Sequence, residues 1–370
     1  MRELQDITEI LARLVGFRTL TDGPNLDLIN WVEAFLTNAG FEVTRITAPC
    51  GDKAGLLAKF GTGDGGVLYS AHSDVVPVAG QSWSADPFVL RPSGTRLIGR
   101  GTTDMKGFLA CVLAEAQTLR SNAPAKPFMI ALSWDEEIGC RGIPQMIDHV
   151  LPCLGRPDLA IIGEPTEMRL CLGHKGKASY RAICQGEAGH SALAPNFQNA
   201  LHPAAEVILS LRDLQTQLAQ NGARDDGYTI PYATAHVGMM SGGVALNIVP
   251  EHAEIAFEIR HLSDEDPDAL LAGTISTLPA GVSITQTGAY PGLNADPHHP
   301  AIRALLPFLT DASPIKVAFG TEAGFFAGLG LPSVVIGPGS MAKDGHKADE
   351  GIELAQLEAC RIFIGNTRTL

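Results

Sequence analysis

Nothing in these 370 residues reaches 18 consecutive apolar positions, so no helix able to span a bilayer is expected, and no membrane partner. Cysteine is sparse: seven residues, at 50, 111, 140, 153, 171, 184 and 360, with no CxxC pair. An odd, scattered set excludes a disulfide scaffold and suits a reducing cytoplasm, the expected location. Basic charge is also short. Lys and Arg number 27 against 40 Asp and Glu, a net charge of −13. A phosphate-tracking surface is thereby excluded, and no nucleic-acid partner is expected. Internal repeats and low-complexity tracts are missing. The opening MRELQDITEI is charged and amphipathic and does not read as a signal peptide. What is plentiful is apolar surface: 45% hydrophobic residues against 18% charged, enough for a large core and too much for disorder. A chain of this length exceeds one ordinary core and points to two domains.

The first half reads as α/β. Leu4, Ile7, Ile10, Leu11 and Leu14 mark one helical face, and Leu26, Ile29, Val32 and Leu36 a second, closed by Gly40. Extended segments at 41–46, 56–60 and 67–71 follow, then a helix over 106–120, a strand at 128–133, a helix over 140–150 and a strand at 159–162. Runs such as FMIALS and LAII are continuously apolar, as strands of a sheet covered on both faces are. Near residue 175 the pattern changes. Strand 177–185 alternates, helix 201–217 follows, then strands 234–240 and 253–260, helix 266–276 and strand 282–287. That β-α-β-β-α-β order is a split-βαβ sandwich. A helix over 301–309, a strand at 333–336 and a helix over 353–364 then need a sheet to pack on. The expected architecture is a discontinuous α/β domain of residues 1–175 and 289–370, with a mixed, largely parallel sheet between helices, interrupted by an inserted domain of residues 176–288.

Chemistry-bearing residues gather where strands end. His72 and Asp74 follow VLYSA; at strand period they face one side, and a carboxylate beside a His ligand is a common metal arrangement. Asp104 lies in GRGTTDMKG, a Gly-rich turn entering a helix, where an N-cap is the plainer reading. Asp135, Glu136 and Glu137 follow FMIALS; adjacent carboxylates repel unless a cation is present. Glu164 stands in IIGEPT and His346 in the Gly-rich GPGSMAKDGHKADE. Singly, each has a structural explanation. Together, His72, Asp104, Glu137, Glu164 and His346 form the N/O donor set suited to zinc or cobalt at a paired-metal centre, with Asp104 able to bridge. Glu136 is then left over beside a ligand, the natural general base for an attacking water.

With these residues in hand, the sequence resembles the dinuclear-zinc aminoacylase/carboxypeptidase family M20 through SAHSDVVPV, GRGTTDMKG, DEEIGC, GEPT, GHSA and HKADE. The resemblance spans nearly the whole chain. It implies two divalent metal ions, zinc foremost with cobalt able to substitute, held by His72 and Glu164 on one side and Glu137 and His346 on the other, bridged by Asp104. It implies Glu136 as base and Asp74 as the group orienting His72. It implies a cis peptide at Asp104–Met105, and an inserted domain that serves as lid and dimerises. His190 in GHSA resembles a residue that helps hold the reacting carbonyl, Asn247 in GGVALNIVP a polar substrate contact, and Arg260 in FEIR a clamp for the substrate α-carboxylate. Glu322 in FGTEAG is the expected partner of a substrate side-chain ammonium, with a structural role in its loop as the alternative.

Within the family, GHKGKASYRA, GHSALAPNFQNAL, NIVPEHAEIAFEIR and VAFGTEAG resemble the branch that hydrolyses N2-acetyl-L-ornithine to L-ornithine and acetate. The expected partner is thus a small N-acyl amino acid. The alternatives are a desuccinylase acting on N-succinyl-diaminopimelate, a general N-acyl amino acid deacylase or a dipeptidase. From another class, the alternative is a metal-binding dimeric interaction protein without catalysis.

Overall fold

A computed structural model describes residues 2–370. Its backbone divides into two units: residues 2–173, 293–316 and 321–370 form the first, and 174–292 with 317–320 the second.

The first unit is built on a nine-stranded sheet. Its order is Glu42–Thr47, Ala54–Phe60, Phe128–Ser133, Val67–His72, Leu159–Ile162, Ser333–Val335, Cys171–His174 and Leu293–Asn294, with Ile315–Val317 also paired to Cys171–His174. The four central strands, Phe128–Ser133 through Ser333–Val335, run parallel. Antiparallel strands flank them. The strands FMIALS and VLYSAH are buried at every position, which is why they carry no polar alternation. Helix Lys106–Thr118 supplies much of the cover. Phe108 to Leu113 are all buried, and the helix lies against Arg2–Gly16 and Leu354–Thr367. Each such Phe, Leu or Val contributes about 1.5–3 kcal/mol by leaving water. Helix Leu26–Ala39 ends where Gly40, at φ 93°, turns its amide back to the carbonyls of Leu36 and Thr37.

The single helix expected over 301–309 is two short pieces, Pro300–Arg303 and the 3-10 turn Leu306–Phe308. Pro307 lacks the amide that a continuous helix would need. The helix expected over 140–150 begins later, at Ile147, after a 3-10 turn at Ile143–Gln145. Cys140 sits at φ 54°, outside helical backbone.

The second unit has the expected β-α-β-β-α-β order. Its antiparallel sheet runs Thr234–Gly242, His252–His261, Gly176–Gln185, Val282–Tyr290, and helices Leu201–Asn221 and Pro267–Ser276 complete it. Alternation sets its faces: Ala178, Tyr180, Ala182 and Cys184 on one strand, and Ala253, Ile255, Phe257 and Ile259 on the next, share a core with Val207, Leu211, Leu214 and Leu218. The stacked rings of Tyr180 and Phe257, 5.2 Å apart, lie at its centre. The unit extends beyond 288 because Tyr290 still pairs with Lys177. Residues 317–320 join it because Gly320 lies so close to the Tyr290 ring that a Cβ would come within 2.1 Å. Among the described residues, no helix is long and apolar enough to cross a membrane.

Candidate metal centre and active site

The parallel strands deliver four of the expected donors at their carboxyl ends. His72 closes Val67–His72, Glu136 and Glu137 follow Phe128–Ser133, Glu164 follows Leu159–Ile162, and His346 follows Ser333–Val335. These are four neighbouring strands, and the carboxyl ends of such strands are where open α/β sheets bind ligands. Asp104 arrives from the turn before helix Lys106–Thr118, and the Asp104–Met105 peptide is cis.

Asp104 occupies the middle. Its Oδ1 lies 3.2 Å from His72 Nε2 and its Oδ2 3.4 Å from His346 Nε2. His72 Nε2 is also 3.6 Å from Glu164 Oε1, and His346 Nε2 is 2.8 Å from Glu137 Oε2. His72, Asp104 and Glu164 are almost wholly buried, while the His346 side chain is about half exposed. Donor atoms of His72, Asp104 and Glu137 lie within 4.8 Å of one another, as do those of His72, Glu136 and Glu164. The structure therefore brings all five expected ligands and Glu136 into one cluster, with His72 and Asp104 between the others.

Asp74 works on three residues at once. Its backbone carbonyl lies 3.0 Å from His72 Nδ1, and its carboxylate accepts the amides of Glu136 at 3.1 Å and Glu137 at 3.2 Å. With Nδ1–H donated to that carbonyl, a neutral His72 turns its Nε2 lone pair toward the oxygens of Asp104 and Glu164. Lone pair against carboxylate is repulsive unless a proton or a cation lies between them.

The titration behaviour says the same. Burial pushes the Glu136 and Glu164 carboxyls well above the usual carboxylate range, with neighbouring carboxylates adding to the rise. Burial and then Asp104 push Glu137 up to about 7. Burial would raise Asp104 too, but the imidazoles of His346 and His72 hold it below the usual range. Burial would lower His72; Asp104, Glu164 and Asp74 together lift it well above the ordinary histidine value. Hydrogen bonds to Asp104 and Glu137 raise His346 to about 10. The cluster has too many buried anions for its own cations and recruits protons to compensate. Glu137 Oε1 and Glu164 Oε1 are buried with no hydrogen-bond partner among the described residues, a state buried oxygens ordinarily avoid. Unpartnered oxygens, a repelled lone pair and an N/O donor set all fit divalent cations of the zinc or cobalt kind.

Of the remaining expected residues, Glu322 lies beside the cluster, close enough to act on the Glu136 carboxyl, and the other three lie in the second unit. Glu322 is 2% exposed in the first unit, with Oε1 unpartnered; burial pushes its carboxyl up to about 7 despite the nearby Ser133 and Ser70 hydroxyls. Both expected roles, contact with a substrate ammonium and support of its loop, are compatible with this position. His190, Asn247 and Arg260 belong to the second unit. His190 pairs with Ile248 in a two-stranded ribbon, and the Asn247 carbonyl accepts the Ser191 amide at 3.1 Å, so His190 and Asn247 sit side by side and exposed. His190 Nδ1 accepts the Ala192 amide at 3.1 Å, which places the proton of a neutral ring on Nε2. Arg260 donates Nε to Glu258 at 2.8 Å and Nη1 to the Tyr290 hydroxyl at 3.4 Å.

A profile of the peptidase family M20/M25/M40 matches residues 68–366. The chain belongs to that family. It is a metal-dependent amidohydrolase. Curated relatives include an acetylornithine deacetylase of Erwinia tasmaniensis, 33% identical over 75% of this chain and 74% of that protein. Another, of Pasteurella multocida, is 33% identical over 71% and 69%. Among solved structures, an M20 family metallo-carboxypeptidase from Sulfolobus solfataricus superposes with a TM-score of 0.83 over 100% of this chain and 99% of that one, at 19% identity, a likeness of fold.

Three supporting groups escaped the sequence reading. Cys140, the last residue of DEEIGC, donates its thiol to Glu136 Oε1 at 3.4 Å. Lys53 grips both oxygens of Asp135, at 2.8 and 2.7 Å, and Asp135 sits at φ 52° directly before Glu136. Glu350 and Arg100 form a buried pair under the Asp104 turn. Cys140 stands four residues after Glu136, and Arg100 and Glu350 lie within the GRGTTDMKG and HKADE motifs, but their pairing was not legible because the Lys53–Asp135 and Arg100–Glu350 pairs span 82 and 250 positions.

Proposed function

We propose that the protein hydrolyses the N-acyl amide of an N-acyl-L-amino acid, with N2-acetyl-L-ornithine as substrate and L-ornithine and acetate as products, in the cytoplasmic supply of arginine. The observation that carries this reading is the cluster itself: five donors with unpartnered, charge-frustrated oxygens, and a sixth carboxylate beside them. The curated relatives named as acetylornithine deacetylases support the choice of substrate.

His72, Asp104, Glu137, Glu164 and His346 would hold two divalent ions, zinc in the first place and cobalt as a substitute. Bound there, they would supply Lewis-acid activation of the acyl carbonyl and of the attacking water. Glu136 is the general base. Beside the ligand Glu137 and not itself needed as one, its carboxylate can take a proton from water and pass it to the leaving amine nitrogen. Asp74 fixes this base through the Glu136 amide and orients His72 through its carbonyl. His190 donates Nε2–H to the developing oxyanion. Arg260 binds the substrate α-carboxylate, a task suited to a guanidinium, and Asn247 contacts the same substrate. Glu322 supports the cluster from below.

The protein acts as a homodimer through the second unit. Strand Thr234–Gly242 is an edge of its sheet, and Met239, Met240, Val244, Leu246 and Ile248 on and after it are exposed large apolar side chains. The test of the whole reading is kcat/KM for N-acetylornithine, N-acetylmethionine and N-succinyl-diaminopimelate with zinc or cobalt added. A preference for either of the last two reassigns the substrate within the family. No turnover on any amide, with metal bound, removes catalysis.

A further inference from the structure

One buried ion pair beside the cluster takes no part in the reaction just described. Glu350 is 1% exposed and accepts four hydrogen bonds. Its Oε1 takes the amides of Thr103 at 2.8 Å and Asp104 at 3.1 Å; its Oε2 takes the Gly101 amide at 3.0 Å and Arg100 Nη1 at 2.8 Å. Three of the four donors belong to the backbone of the turn that presents Asp104. Arg100, equally buried, lies 4.9 Å from the Trp83 ring centre. It donates to the Lys347 carbonyl at 3.2 Å and to the side-chain oxygen of Gln81. Gln81 in turn donates Nε2 to the carbonyl of His346 at 2.8 Å. The pair therefore holds the chain at Asp104 directly, and the chain at His346 from two sides.

Such a device is needed. His346 and Asp349 stand at φ 58° and 54°, left-handed positions that non-glycine residues hold only when the surroundings fix them. His346 is also half exposed, so core packing does not place it.

We propose that Arg100 and Glu350 are a positioning pair that sets the spacing between Asp104 and His346, and so the affinity and geometry of the cation those two residues share with Glu137. The proposal rests on the reading of Asp104 and His346 as metal ligands. Groups behind metal ligands typically change metal affinity by roughly 10–100-fold when altered, and that is the effect expected here.

The experiment is a titration of metal-free, full-length protein with Co²⁺, followed by calorimetry and by the visible absorption of bound cobalt. Wild type should take up two ions. Glu350→Gln should weaken one of them by roughly 10–100-fold and change its spectrum, leaving the other in place. Gln81→Leu, on a surface loop where folding is not at risk, should weaken the same ion by a smaller factor. Glu115→Gln breaks a different, partly buried pair of the same unit, with Arg368 at 2.6 Å, and serves as the control. It should lower the melting temperature while both cobalt affinities and the spectrum stay at wild type. The proposal is overturned if Gln81→Leu keeps both wild-type affinities, or if Glu350→Gln behaves like Glu115→Gln. A wild type that binds no cobalt overturns the ligand assignment itself. Two ions bound by wild type with indifferent variants overturn the positioning pair alone.

Discussion

In the first unit, the candidate ligands His72, Asp104 and Glu164 are almost wholly out of solvent, and their proton affinities are displaced by burial and by one another. In the second unit, His190 and Asn247 are exposed, and the half-buried Arg260 has Glu258 as its counter-charge. The difference teaches where each kind of group can be built. A charge-frustrated cluster needs a rigid frame that tolerates its repulsion, and four parallel strand ends provide one. Groups proposed to meet a mobile substrate need open surface and partners of their own, as a ribbon and a sheet face provide. The first region holds buried carboxylate oxygens without partners among the described residues; in the second, the charge of Arg260 is met by Glu258.

The sharpest way to break this contrast is Glu136→Gln. If Glu136 is the base and not a ligand, the variant keeps both metals and loses turnover by roughly 10²–10⁴-fold, the share of general acid–base catalysis. Metal analysis showing one ion gone would instead make it a ligand, as its grouping with His72 and Glu164 allows.

His190→Ala tests the other region. Loss of an oxyanion donor costs roughly 10²–10³-fold in kcat, here without change in metal content. In the proposed dimer each site takes His190 from the other copy. Co-expression with Glu136→Ala should then restore roughly a quarter of the sites by random pairing. Heterodimers as inactive as both parents would place His190 in its own subunit's site or outside catalysis.

Metal removal exposes the frustration as a pH effect. Glu137 and Glu322 are raised from 4.5 to about 7, so between those values the native state keeps protons that the unfolded chain releases, and stability falls as pH rises. His346, raised from 6.5 to about 10, has the same sign. Its contribution is full below 6.5 and is lost as pH rises through about 10, reduced by its exposure. The melting temperature of chelated protein should drop steadily across this range, while zinc-loaded protein stays level or gains, since metal binding favours deprotonated ligands. Parallel curves for the two forms would mean that no cation neutralises the cluster.

The smallest effect concerns Glu322→Gln. As a support beneath the cluster, it should lower kcat/KM for acetylornithine and acetylmethionine by the same modest factor. A selective loss on acetylornithine would return Glu322 to the substrate ammonium.

Much of this protein was legible in its sequence for local reasons. Continuous apolar runs marked the covered strands, alternation marked the second sheet, and each expected ligand stood directly after a strand or in a Gly-rich loop. Those signals depend on a few neighbouring residues, so periodicity and motif suffice to read them. The short pieces at 300–308 were less legible, because the apolar pattern of a helix persisted through Pro307, which the backbone could not follow.

What only the tertiary structure decided is how the strand ends are arranged and what holds them. Sheet order put 128–133, 67–72, 159–162 and 333–335 side by side, an order the chain does not spell out. It turned Asp104 between two imidazoles and enclosed Glu322, for which the sequence left a substrate contact and a structural role both open. It also joined Lys53 to Asp135 and Arg100 to Glu350, across 82 and 250 residues. Pairings at such separations leave no periodic trace, because their partners are chosen by the packing of the whole unit and not by any neighbouring stretch of chain.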